Sequence, residues 1–192
     1  LDGQHGFLDT FRGNSINILD VGSVRFNLSQ PLEIIESGIG IKQYACCGCS
    51  HTAIDVLFDL MSEHGFLHHQ IDRIDCYVNR LVPGILIHNQ ASTGFQGKFS
   101  MSYSVAIAAL DGQAGPKQFD DERASHSDIQ SMQQKVFMSI DQDIPVSHGV
   151  FPTRVEIKLK DGSNYIGTSN KARGMHPDLP LSQQQVDDKF RL

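Results

Sequence analysis

The sequence predicts an α+β fold, a small mixed or antiparallel sheet with helices packed against it, and three observations carry that expectation. Ile74, Cys76 and Val78, and again Val155, Ile157 and Leu159, alternate with polar residues at the period of a half-buried strand. Ile54, Leu57, Phe58 and Met61 repeat at the i, i+3, i+4, i+7 spacing of an amphipathic helix. Met101–Leu110 is small and mostly apolar with no polar face, so it reads as a helix buried nearly all round.

Taken in order, residues 1–30 carry Gly3, Gly6, Gly13 and Gly22 without a sustained period. They read as a connector with one helical turn near Phe7–Phe11, and Pro31 resets the chain. Ile39, Ile41 and Tyr44 predict a short strand over Gly38–Tyr44, running into a cysteine-rich turn. Ser50 stands as the N-cap of the first amphipathic helix, and Gly65 is its left-handed stop. A strand around Ile74–Val78 is followed by a long loop over residues 80–97, punctuated by Pro83, Gly84, Gly94 and Gly97.

The buried helix ends at Asp111-Gly112. Ile129, Met132, Gln133 and Val136 predict another helix, entered from Ser125 or Ser127, with a strand over Phe137–Ile140 behind it. Asp161-Gly162 is a hairpin turn between the Val155–Leu159 strand and a return strand at Tyr165–Thr168. Ser182 and Gln185 form a capping box that opens a final helix of about two turns. With Leu1 in place of a methionine, both ends are expected to be cuts. The expected organisation is a connector over 1–35, an α+β core over 36–170, and the start of a helical segment over 171–192.

Of the 192 residues, 40% are apolar and 20% charged, the balance of an ordinary globular protein. A net charge of −6 and the lack of any basic run argue against nucleic acid as a partner. No apolar run reaches the ~20 residues that span a bilayer, and no leader opens the chain, so no membrane partner is expected. The four cysteines, three of them crowded at 46, 47 and 49, fit a reducing compartment better than a disulfide scaffold. A cytoplasmic protein is expected, or a mitochondrial-matrix one in a eukaryote.

Cys46-x-x-Cys49 has zinc-ligand spacing, and His51 and Cys76 could complete four ligands, yet no second close ligand pair accompanies it. A thioredoxin-like redox motif would need a further βαβ half. Small residues filling a tight turn at a helix start is the simpler reading, and no metal is expected. Lys42 sits at a predicted strand end just before a helix N-terminus, a setting suited to a carboxylate. A solvated strand-end lysine would look the same. Lys98, Ser100 and Tyr103 flank the start of the buried helix. Ser100 could be its N-cap, and Tyr103 a core tyrosine with a satisfied hydroxyl or a substrate clamp. His88 in the long loop and His51 at the helix start are the histidines placed near these groups. His68, His69, His126 and His148 read as solvated.

The run Lys42-Gln43-Tyr44-Ala45-Cys46-Cys47-Gly48-Cys49-Ser50-His51-Thr52-Ala53-Ile54-Asp55 resembles a signature segment of the MmgE/PrpD family. Gly94–Tyr103 through Leu110-Asp111-Gly112 resembles a second. Val155–Gly162, Pro180-Leu181-Ser182 and Lys189-Phe190 fit a third, and Leu1-Asp2-Gly3 with Gly6-Phe7 matches the stretch before the lid.

The family includes 2-methylcitrate dehydratase, cis-aconitate decarboxylase and iminodisuccinate epimerase. The resemblance implies homodimers that need no metal or other cofactor, built from a large helical domain and a smaller α+β lid. The chain would be the lid portion, working with a helical domain that precedes Leu1 and supplies most acid–base groups. It implies a small polycarboxylate substrate in the cleft between the two. Lys42 would be catalytic, with Cys46, Cys47, Lys98, Ser100 and Tyr103 lining the substrate. His88 could stand in for a loop tyrosine of the decarboxylase branch, since no tyrosine lies between Tyr77 and Tyr103, which counts against decarboxylation. Ala45 replaces a usual proline and loosens the turn. The implied function is the lid of a lyase or isomerase, inactive alone. The competing expectation is a non-catalytic binding or assembly module from a split gene.

Overall fold

The strands and helices announced by strong periodicity are where the apolar pattern puts them. A computed structural model describes residues 39–146, 150–175 and 178–191. The expected connector and the turn at Phe7–Phe11 lie outside these residues. Ile39–Leu192 form one compact unit.

Helix α1 (His51–His64) is followed by β1 (Ile71–Val78), and Gly65 closes the helix at φ 68°. A long crossover then carries α2 (Gly94–Gly97), α3 (Met101–Asp111), α4 (Asp121–Ala124) and α5 (Ser127–Gln133) to β2 (Val136–Ile140). β3 (Thr153–Leu159) and β4 (Asn164–Ser169) make a hairpin over Gly162, whose φ of 92° favours glycine, and α6 spans Gln183–Phe190.

The four-stranded sheet has the order β2-β1-β3-β4. β1 and β2 run parallel, Ile74 opposite Val136, whereas β1 pairs β3 and β3 pairs β4 antiparallel. The sheet is therefore mixed, because a parallel pair needs the long helical crossover and an antiparallel one only a tight turn.

Ile74, Cys76 and Val78 of β1 lie opposite Ile157, Val155 and Thr153 of β3, so they share one face. On that face α1 packs on β3 and β4, and α3 packs on β2 and α1. Each fully buried aliphatic there contributes on the order of 1.5–3 kcal/mol of burial. The opposite face is more exposed and mixes charged groups with Tyr77, Phe137 and Ile166. Arg154 lies 3.8 Å over the Tyr77 ring and pairs with Asp141 and Glu156, and Arg73 lies 4.0 Å over Phe137 and pairs with Asp75.

Two expectations are corrected. Residues 39–44 form no strand: Ile39 is 70% exposed and Ile41 39%. A strand needs a neighbouring ladder, and this segment instead bonds singly, Ile41 N–H to the Gly174 carbonyl at 2.6 Å and Ala45 N–H to that of Ala114 at 2.9 Å. Val136 belongs to β2 rather than to the preceding helix, because the Ile74 N–H draws the Lys135 carbonyl into the ladder at 2.8 Å. The single turns at Pro116–Phe119 and α4 are additions that no periodicity announces.

Candidate functional site

Three loops are stitched together in front of α1 and α3. Cys47 N–H donates to the Lys98 carbonyl at 2.9 Å, and His88 N–H to the Phe99 carbonyl at 3.3 Å. The Ser102 hydroxyl donates to the Asn89 carbonyl. Residues 42–50, 87–90 and 97–102 are thereby brought into one surface.

The first loop is the cysteine-rich turn, a 3-10 turn over Gly48–Ser50 leading into α1. Ser50 stands at the helix start as expected, but its hydroxyl donates back to the Cys47 carbonyl at 2.9 Å rather than capping forward. The Cys46 sulfur lies 3.2 Å from that hydroxyl. Lys42 is exposed, and its ammonium reaches the Cys46 carbonyl at 3.4 Å.

The turn is anchored from behind by a buried polar network. The Tyr44 hydroxyl donates to Asp55 Oδ1 at 2.7 Å, and the Arg173 backbone N–H donates to Asp55 Oδ2 at 2.9 Å. Arg173 also pairs with Asp59 at 2.7 Å. His51 is fully buried, meets the Tyr44 ring edge-on at 5.0 Å, and donates from Nε2 to the Cys46 carbonyl at 3.3 Å. Its Nδ1 is buried with no hydrogen-bond partner among the described residues. Burial holds the imidazole down to about 4 and raises the Asp55 carboxyl above its usual range.

The three cysteines of the turn differ sharply. Cys46 is buried, and desolvation pushes its thiol up to about 11. Cys47 is half-buried, and its thiol is lowered, first by the hydrogen bond from the Cys49 thiol and further by the charge of Lys42. Cys49 is raised in return, by that same hydrogen bond and by burial. All four cysteines, Cys76 included, are free thiols. Among the described residues, no three His, Cys, Asp or Glu side chains converge as a metal site.

The expected site residues thus fall into two groups. Lys42, Cys47, His88 and Lys98 lie at the surface or half-buried along the joined loops. His88 borders a cleft of about 280 Å³ shared with Asn89, Gln90, Ser102, Gln134 and Phe137. Cys46, Ser100 and Tyr103 lie beneath. Ser100 caps α3 by accepting the Tyr103 N–H at 3.1 Å. The buried Tyr103 hydroxyl donates to the Gln118 carbonyl at 2.6 Å, which satisfies it internally. Tyr44, Asp55 and Arg173 escaped sequence reasoning. A polar pair four residues apart, His51 and Asp55, at the start of an apolar helical stripe was the available signal.

Among the described residues no helix is long and apolar enough to cross a membrane. Residues 44–192 match the family model of the MmgE/PrpD C-terminal domain. Cis-aconitate decarboxylase of Mus musculus is 27% identical over 115 residues, which are 60% of this chain and 22% of that protein. The chain therefore spans about a fifth of the length of the curated relative it matches. With the matching domain covering most of its residues, the chain belongs to the MmgE/PrpD family.

Proposed function

We propose that this chain is the lid portion of a lyase or isomerase acting on small polycarboxylates, most simply a 2-methylcitrate dehydratase-like enzyme, and that it needs a helical domain to turn over. The observation that carries the reading is the Cys47–Lys98 backbone bond. It sets the Cys47 turn beside the Lys98 turn, and the bond from the His88 N–H to the Phe99 carbonyl ties the third loop to the second. The decarboxylase name of the mouse relative supports lyase-type chemistry in general.

Dehydration, decarboxylation and epimerisation of such acids share one physical problem, the charge that develops on a carbon beside a carboxylate. A pre-placed cation is effective there because it needs no reorganisation during the reaction. Lys42 would neutralise the substrate carboxylate, with Lys98 adding positive field from the second turn. A base from the helical domain would move the proton. Nothing in this scheme asks a metal to polarise the carboxylate, since the lysines meet that need.

The test is Lys42→Met in the intact protein that carries this chain, which keeps the stem and removes the charge. A fall in kcat/KM of about 10²-fold, ~2.7 kcal/mol, is expected if the ammonium meets developing charge. Wild-type kinetics in that variant would refute the assignment. Turnover of 2-methylcitrate, cis-aconitate or iminodisuccinate by the chain alone would refute the need for a helical domain.

A further inference from the structure

We propose that Met175 is a positioning residue for the turn that carries Lys42 and Cys47, seated on Gly48 by a strap, residues 172–175, that grips both ends of that turn. The inference deepens the reading above and rests on that turn being part of the substrate site.

Gly48 supplies the first observation. Among the described residues the glycines with positive φ are Gly65, Gly112, Gly162 and Gly174, so Gly48 is not a glycine for the sake of its backbone. It is a glycine for want of room. A Cβ there would meet the Met175 Cε at 2.9 Å and its Sδ at 3.3 Å, so the thioether lies against the main chain directly after Cys47.

The strap is placed by contacts independent of that one. The Gly174 carbonyl accepts the N–H of Ile41, the residue before Lys42, at 2.6 Å, and the Gly174 N–H donates to the Leu179 carbonyl at 2.7 Å. Gly174 has φ 75°, and a Cβ there would lie 2.3 Å from the Ile41 carbonyl oxygen, so only glycine lets the two main chains come this close. A Cβ on Gly40 would meet the Met175 carbonyl oxygen at 3.1 Å. Arg173 fastens the strap to α1, its N–H on Asp55 at 2.9 Å and its guanidinium on both oxygens of Asp59 at 2.7 Å.

Residues 42–47 are thus held at both ends, by Gly174 at Ile41 and by Met175 at Gly48. Between those points the Tyr44 hydroxyl bonds Asp55, the same carboxylate that receives the strap. The Lys42 ammonium reaches the Cys46 carbonyl at 3.4 Å, a bond within the turn itself, so the place of its charge follows the main chain of the turn. Displacing a charge-stabilising group by about 1 Å can cost on the order of 10²-fold in rate. Met175 acts through that main chain and does not meet the substrate.

The experiment labels the native full chain with N-ethylmaleimide over time and maps the cysteines by tryptic digestion and fragmentation. Cys46 lies beneath the turn at 5% exposure and reports its opening, whereas Cys76 in β1, at 1%, reports opening of the sheet. In Met175→Ala, Cys46 should label about 5-fold or more faster, with Cys76 within about 2-fold of wild type. Met175→Leu keeps the bulk and should leave both within about 2-fold. Gly48→Ala should also open the turn, and adding Met175→Ala to it should slow Cys46 labelling again, because the smaller side chain makes room for the new methyl. In the intact protein that carries this chain, Met175→Ala should lower kcat/KM about 10-fold, mostly through kcat, with Met175→Leu near wild type.

Unchanged Cys46 protection in Met175→Ala, Cys46 and Cys76 opening together, or a double variant no better than Gly48→Ala would each overturn the proposal. So would wild-type kcat/KM in Met175→Ala beside an impaired Lys42→Met. If Lys42→Met is itself unimpaired, the role given to the lysine fails, and Cys46 labelling still decides that of Met175. The Met175 variants carry the test if Gly48→Ala fails to fold.

Discussion

Tyr44→Phe removes one hydroxyl from the network behind the cysteine turn and nothing else. The Tyr44 ring is 4% exposed and packs against His51 and Phe58, contacts that phenylalanine keeps. What is lost is the 2.7 Å bond to Asp55 Oδ1, on a carboxylate that is itself 2% exposed. Oδ2 keeps the Arg173 N–H at 2.9 Å. A buried acceptor that loses a charge-assisted partner costs about 1.5–3 kcal/mol. For a chain of this length that corresponds to a Tm lower by about 4–8 °C for a loss of ~2 kcal/mol.

The pH dependence follows from Asp55. Burial already raises its folded pKa, and the Tyr44 hydroxyl pulls it down. Removing the hydroxyl raises it further, so the folded variant binds more protons than its unfolded chain above the carboxyl's ordinary pKa. Its stability then falls as pH rises through that window, and the deficit against wild type should be larger at pH 8 than at pH 5. Urea unfolding at both pH values, with Asp55→Asn and the double variant closing a cycle, measures the coupling. A Tyr44→Phe loss under ~0.5 kcal/mol at pH 8, or a deficit that grows on acidification, would refute the reasoning.

Three further outcomes are expected. Because burial holds His51 at about 4 against an ordinary 6.5, the unfolded chain binds the extra proton first; stability should fall as pH drops from 6.5 to 4, by on the order of 1–3 kcal/mol. A stability profile that His51→Gln leaves unchanged would reject this. Ser100→Ala should lower stability by ~1 kcal/mol through loss of the α3 cap, read by urea unfolding. Gly94→Ala should be far worse, ~3 kcal/mol or more, since its Cβ would sit 1.8 Å from the Phe119 carbonyl oxygen. Gly84→Ala, with nothing within 4 Å, is the control expected within ~0.5 kcal/mol, and thermal melts of the pair compare them.

The sequence by itself determined α1, α3, β1, β3 and β4, together with the glycines that stop or turn them at 65, 112 and 162. These signals are local. A period of two or of 3.6 reports a face that must be buried, and a positive φ asks for glycine whatever surrounds it. Such a period does not say which partner covers the face. Ile39 and Ile41 therefore mimic a strand that has no ladder, and Val136 extends a helical stripe while belonging to β2.

The candidate site was legible as residue types but not as an arrangement. Lys42, Cys47, His88 and Lys98 stand out as polar or reactive groups near turns. What joins their loops is backbone bonding, Cys47 to Lys98 and His88 to Phe99, which leaves no mark in side-chain identity. Tertiary structure alone decided that Cys46, Ser100 and Tyr103 lie beneath that surface. Burial and hydrogen-bond partners come from segments distant in sequence, Gln118 for Tyr103 and Arg173 for the Asp55 anchor.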